Sequence, residues 1–297
     1  MSVRYRRLAA LACCLTTTTS AHVYDHGSVV FTLAVRDGFV MAADGLTLSV
    51  GGEPGRAVVK RSAAAEPKIA VCGPRLLCGM VGVNPFPKEL NIKYDFQGWI
   101  LAIKSGHEFS PRLFTQAIDA KAQVTFRNFR SILMTDSFWK SKQAPQDLLD
   151  FQVAGFDGKT PQICNLRIAV NRQQHQLEYP KPECFTPRWE SPSPTSVIPY
   201  PLSFGDSIAE ALKGGTPEAK YLVEILPAAT SAAHAILPEA PPSLQEVVGD
   251  AAAFVRMTDE FNPDQAGGIT TIGVLQKGRK PIVFQFPDGD PQQPQVR

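Results

Sequence analysis

The chain has 297 residues, 44% of them hydrophobic, with 30 basic against 28 acidic side chains and a net charge of +2. That length can bury a sizeable core. The near-zero charge excludes the basic footprint of a nucleic-acid or membrane-surface binder, and no apolar run is long enough to span a bilayer.

At the N-terminus, Arg4, Arg6 and Arg7 precede a short apolar run, residues 8–15, and Thr19-Ser20-Ala21 suits signal peptidase before His22. Residues 1–27 are read as a signal peptide, a propeptide cut at Ser28, or both in succession. The first reading makes the protein exported, periplasmic or secreted; the second leaves it cytoplasmic with a propeptide.

Residues 28–35 and 39–43 are rich in β-branched and apolar types and flank Arg36-Asp37-Gly38, which predicts a β-hairpin. A two-residue turn at Asp37-Gly38 pairs Phe31 with Asp44 and puts Ser28 on the opposite face from Asp44. A three-residue loop with Gly38 in the left-handed region pairs Val30 with Asp44 instead. Ser28 and Asp44 then become diagonal neighbours on one face, about 7–8 Å apart. A functional pairing of Ser28 with Asp44 demands that second loop.

A second hairpin is expected from residues 68–71 and 76–81 around the Gly73-Pro74 turn signal, with Gly82 after its outgoing strand. A hydroxyl at Ser28 after Gly27, an acid at Asp44 and a lysine at Lys68 suit an enzyme that cuts its own chain at Gly27–Ser28. The freed residue would then supply both nucleophile and base.

Downstream, a helix is predicted around 93–104. Another starts at the Ser110-Pro111 cap and runs to about 130, with Leu113, Phe114, Ala117, Ile118, Val124 and Phe126 at mostly helical spacing. Strands follow near 151–156, 162–170 and 176–179. Residues 187–201 are rich in proline and serine and read as an irregular insertion. Helices near 216–237, kinked at Pro227, and 243–261, with a Ser243–Glu246 capping box, come next. Strands near 269–275 and 281–286 close the domain, 28–286, and residues 287–297 read as a disordered tail. This order fits α+β: two sheets with helices on both outer faces.

The residues around the first two hairpins resemble the proteasome β-subunit and HslV group of N-terminal nucleophile (Ntn) hydrolases. The spacing of Ser28, Gly38 and Asp44, the Ala42-Ala43-Asp44 strand end, and the run Lys68-Ile69, Pro74, Leu76-Leu77, Met80, Gly82 fall on that family's pattern. Weaker likeness lies in residues 153–158, in Ser203-Phe204-Gly205-Asp206-Ser207 and in Asp264-Gln265-Ala266-Gly267-Gly268. The resemblance implies a four-layer αββα sandwich and an oligomer built from it. Four departures stand. Serine replaces the usual threonine, Asp206 and Ala266 stand where the family has serines, and Leu46 replaces an arginine. The family's lysine also comes earlier, so an insertion is placed within residues 51–66, and Lys60 is the rival for the lysine role.

In the implied chemistry, the Ser28 α-amine, with an ordinary pKa of about 7.7–8.0, takes the hydroxyl proton. Ser28 Oγ then attacks an amide carbonyl to give an acyl-enzyme. Lys68 stabilises charge, Asp44 holds Lys68, the Gly82 N–H donates to the oxyanion, and Asp264 and Asp206 orient the amine. No cofactor and no metal is expected: cysteine spacing matches no zinc motif, and glycine-rich phosphate loops are missing. Cys72, Cys78, Cys164 and Cys184 allow three disulfide connectivities, Cys164–Cys184 belonging to one; the alternative is small free core residues. Three functions are carried: an Ntn hydrolase of peptide or amide bonds, a catalytically inactive proteasome-like binding or assembly subunit, and a small-molecule Ntn amidase.

Overall fold

The structure is a computed structural model that describes residues 29–45, 47–51, 58–62, 68–82, 100–103, 109–128, 147–171, 173–189, 197–201, 214–263, 266–286 and 295–296. It has mixed α and β content with two larger antiparallel sheets. Strands β1 (Val30–Val35), β2 (Gly38–Ala43), β11 (Ile198–Pro201), β12 (Thr270–Gln276), β13 (Ile282–Phe286) and β14 (Gln295–Val296) form the first, in the order β11-β1-β2-β12-β13-β14. The second is built from β5 (Ile69–Gly73), β6 (Leu76–Gly82), β7 (Asp147–Asp157), β8 (Thr160–Asn171) and β10 (Glu183–Phe185), in the order β10-β8-β7-β6-β5, with β9 (Gln176–Glu178) also on β8. Among the described residues, strands β3 (Thr47–Gly51) and β4 (Val58–Ser62) pair only with each other, as a two-stranded ribbon.

Three helices longer than one turn are described: α1 (Pro111–Asn128), α2 (Pro217–Ile236) and α3 (Pro242–Phe261). Strand alternation explains how the layers stack. On β1, Phe31, Leu33 and Val35 pack with Leu222, Val248 and Phe254 of α2 and α3. Val30 and Ala34 turn the other way, into a layer shared with Ile69, Leu77, Ala154 and Ile163 of the second sheet. The far face of that sheet, through Leu76, Phe151 and Leu166, meets Phe114, Ile118 and Phe126 of α1. A strand buried on both faces reads as unbroken apolar sequence, and β1 and β2 are buried throughout.

A buried polar bridge crosses the inter-sheet layer. The Thr32 hydroxyl on β1 donates to Gln152 Oε1 on β7, and Gln152 Nε2 donates to Asn165 Oδ1 on β8 at 2.9 Å. Among the described residues there are two disulfides, Cys72–Cys78 across the β5–β6 hairpin and Cys164–Cys184 joining β8 to β10, so the reading as free core cysteines is replaced.

The first hairpin takes neither expected register. Val35 pairs with Gly38 and Val30 with Ala43, so the turn is Arg36-Asp37, and neither of these has a positive φ. Gly38 is not left-handed either: it is a strand residue, and an added Cβ would collide with the Leu275 carbonyl oxygen of β12. The glycine marks a close approach of two strands, so the three-residue loop and the diagonal Ser28–Asp44 pairing that depends on it are corrected.

Other expectations also shift. Part of the 187–201 insertion is β11, an edge strand pairing with β1; its Pro199 and Pro201 suit an edge, where no inner ladder partner is lost. Helix α3 begins after Pro241 with no side-chain cap, because Pro242 occupies the first turn and displaces the Ser243 box. Leu113 and Val124 of α1 face solvent. In the tail, residues 295–296 form β14 on β13. Of the expected 93–104 helix, residues 100–103 are helical and the rest lies outside the described residues.

Candidate functional site

The site forms where β1 begins and β2 ends. Beyond the last ladder pair, Val30 with Ala43, the Asp44 N–H donates to the Val29 carbonyl at 3.1 Å. The Asp44 side chain turns back on the same residue: the Val29 N–H donates to Asp44 Oδ1 at 2.8 Å. That N–H belongs to the peptide bond linking Ser28 to Val29.

Lys68 arrives from the other sheet. It precedes β5 and is fixed by the Met80 N–H, which donates to its carbonyl at 2.9 Å. Its Nζ lies 2.5 Å from Asp44 Oδ1, with only 10% of the Lys68 side chain exposed and none of the Asp44 side chain. A third contact comes from the turn after α3: the Gly267 N–H donates to Asp44 Oδ2 at 3.2 Å, and the Gly267 carbonyl accepts from the Gly45 N–H at 3.0 Å. Both Asp44 oxygens are thereby engaged, as a buried carboxylate requires.

Burial pushes the Asp44 carboxyl above its ordinary pKa, against the opposing pull of Lys68 and of the Val29 and Gly267 N–H groups. Burial likewise pushes Lys68 below the ordinary lysine value, while the Asp44 carboxylate, and Asp259 on α3, pull it back up. Burial thus moves each group toward its uncharged form, and the pair's mutual attraction opposes it.

Of the residues singled out from sequence, Asp44 and Lys68 are in direct contact. Lys60 lies on β4 opposite Ser49. Gly82 ends β6 opposite Leu149, two residues past the Met80 that binds Lys68, so it belongs to the same end of the hairpin. Ser28, Asp206 and Asp264 lie outside the described residues. Strand β11 runs antiparallel to β1 and ends with Pro201 opposite Phe31, so the chain toward Asp206 leaves at the Asp44 end of the sheet. Ala266 is buried and supplies no hydroxyl.

Sequence reasoning missed the main-chain donors at Val29 and Gly267, and Asp259. The Gly267-Gly268 pair was a visible signal, matched to a family element but not recognised as a donor to Asp44. Asp259 is one acid near the end of an amphipathic helix and carried none. Among the described residues, no group of His, Cys, Asp and Glu could hold a metal ion, and no helix is long and apolar enough to cross a membrane. Compared with protein-family models the chain gives no match, and compared with curated proteins it gives none either.

Proposed function

We propose that this protein is an N-terminal nucleophile hydrolase that cleaves peptide or amide bonds after cutting itself at Gly27–Ser28. The observation that carries the reading is the Asp44 carboxylate, bound at once by the Lys68 ammonium and by the N–H just after Ser28, a main-chain link that stands in place of the diagonal side-chain pairing the observed register removes. The pair ties three segments together, but a packed apolar pair would add as much stability, so its burial at that peptide bond supports a chemical role. The stacking of α2 and α3 on the first sheet, the two sheets on each other, and α1 on the second supports the four-layer αββα arrangement of that class.

In maturation, Ser28 Oγ attacks the Gly27 carbonyl carbon, the Gly27–Ser28 C–N bond breaks, and water hydrolyses the resulting ester. This releases the Gly27 carboxylate and a free Ser28 amine. In turnover that amine accepts the Oγ proton as Oγ attacks the substrate carbonyl, the amine leaving group takes the proton as the C–N bond breaks, and water, deprotonated by the same amine, hydrolyses the acyl ester to release the acid and restore the Oγ hydroxyl. Lys68 favours the unprotonated amine and stabilises the developing oxyanion, toward which the Gly82 N–H is the proposed donor. Asp264 and Asp206 are the proposed orienting acids. The two disulfides support an exported protein, since such bonds persist in oxidising compartments. Assembly into an oligomer is part of the same reading.

Intact-mass analysis and N-terminal sequencing test it. The wild-type chain is expected to begin at Ser28 and Ser28→Ala to keep the preceding residues. A Ser28→Ala protein cut normally at that bond would end the self-cleavage reading. The buried Ala266, where a hydroxyl would belong, favours the inactive-subunit reading; a wild-type chain never starting at Ser28 would select it.

A further inference from the structure

Strand β2 and helix α3 pack together, and the buried series of each ends in an acid. On β2 the alternate residues Val40 and Ala42 face the helices of the outer layer. The next member of that series is Asp44, whose N–H still pairs with Val29. On α3, Val248, Ala251, Ala252 and Val255 make the stripe that packs on the same core. At helical spacing, one turn past Val255, that stripe reaches Asp259. Asp259 is half-buried, and its Oδ1 is enclosed.

The two series end at the same place. Just after α3, the Asn262 carbonyl accepts from the Ala266 N–H at 2.9 Å, and the next N–H, that of Gly267, donates to Asp44 Oδ2 at 3.2 Å. The last turn of α3, with Asp259 in it, is thereby tied to the Asp44 carboxylate. Two carboxylates gathered at one end of a sheet need a cation to hold both charges. Lys68 is that cation, with its Nζ 2.5 Å from Asp44 Oδ1. Among the described residues, the charges acting on Lys68 are those of Asp44 and Asp259. On the α2 side Asp259 meets a second group, Tyr221 with Glu224, Arg256 and Glu260.

We propose that Asp259 is a positioning residue for Lys68: its carboxylate keeps the buried ammonium charged and held against Asp44. The use of that charge rests on the hydrolase reading above, in which the ammonium favours the free Ser28 amine and meets the developing oxyanion. Asp259 acts through Lys68 and touches no reacting atom.

The test reads Lys68 itself. Full-length protein isotope-labelled at lysine Cε is titrated by NMR, with the Lys68 signal assigned from Lys68→Arg. Asp259→Asn and the smaller Asp259→Ser are expected to lower the pH at which Lys68 loses its proton, because a neutral side chain no longer stabilises the ammonium, and Asp259→Glu is expected to restore it. Glu260→Gln removes the same charge from the neighbouring residue and is expected to leave the Lys68 titration in place. Lys68 titrating alike in the wild type and the neutral variants, or shifting equally in Glu260→Gln, would overturn the proposal whether or not the chain cuts itself. The pH profile of self-cleavage gives the second readout. Its rate should decline with rising pH as the ammonium is lost, and the decline should begin at lower pH in Asp259→Asn than in the wild type. A decline beginning at the same pH would overturn the positioning role. A wild-type chain never cut at Gly27–Ser28 would remove the hydrolase reading, and the Lys68 titration alone would then decide whether Asp259 holds the lysine.

Discussion

Asp44 and Lys68 are each buried, each shifted toward neutrality, and held by the other, so removing either should expose the other's titration in the folding equilibrium. In Lys68→Met the Asp44 carboxyl keeps its burial and loses its counter-charge. Its folded pKa stays raised above the unfolded one, so the folded state holds the extra proton between them, and stability falls as pH rises through that window. In Asp44→Asn the reverse holds: Lys68 has a depressed folded pKa, the unfolded chain holds the extra proton, and stability falls as pH drops through the window below the ordinary lysine value. Unfolding free energies from urea titrations taken from pH 4 to 10 should therefore fall with rising pH above the ordinary carboxylate range in the first variant and with falling pH below the ordinary lysine range in the second, approaching about 1.4 kcal/mol per pH unit where one proton separates the states. Parallel slopes would mean that the pair does not titrate with folding. Gly45 gives a second residue-scale expectation. A Cβ there would lie 2.7 Å from the Ile269 nitrogen. Gly45→Ala should cost about 1–3 kcal/mol by denaturant melting and shift the turn that brings Gly267 to Asp44. The acid and the lysine were legible in sequence because their types and neighbours are distinctive. The donors to Asp44 were not, because a main-chain N–H carries no residue type.

At the scale of elements, residues 183–189 act as a strap on the second sheet. Cys164–Cys184 fastens β10 to β8, and Trp189 packs against the inter-sheet core. A Cys164→Ala/Cys184→Ala double variant reopens a loop spanning 20 residues. It should lose about 3 kcal/mol of stability on the loop-entropy account, measured by urea unfolding, with amide exchange in β8 rising as β10 loosens. A stability equal to that of the wild type would show that the strap is held without its disulfide. Hydrophobic alternation foretold most strands and all three long helices. It failed where an element is defined by its partner. β11 is short and contains two prolines, and only β1 beside it makes it a strand. The first hairpin's register was misjudged for the same reason: Gly38 was assigned to the turn, whereas the constraint on it comes from β12, more than 230 residues downstream.

For the whole molecule, the spacing between the two sheets is set by small residues. An added Cβ at Gly79 would lie 2.7 Å from Met41 Sδ and 2.9 Å from Val30 Cγ1 on the facing sheet. Gly79→Val should therefore push the layers apart at a cost of about 1–3 kcal/mol, and Met41→Ala in the same chain should recover part of it by vacating the space, seen as a partial return of the thermal midpoint. No recovery would mean that the strain is confined to the β5–β6 hairpin. The sheets' topology was only partly legible, since nothing local in β2 says that its second neighbour is β12. That pairing bears on timing. One oxygen of Asp44 waits for Gly267, 223 residues away, so a ribosome must deliver nearly the entire polypeptide before the carboxylate is fully dressed. On the proposed self-cleavage, nascent chains stopped short of Gly267 should keep the Gly27–Ser28 bond intact, which would make that cut a report that the chain has been made at least as far as β12.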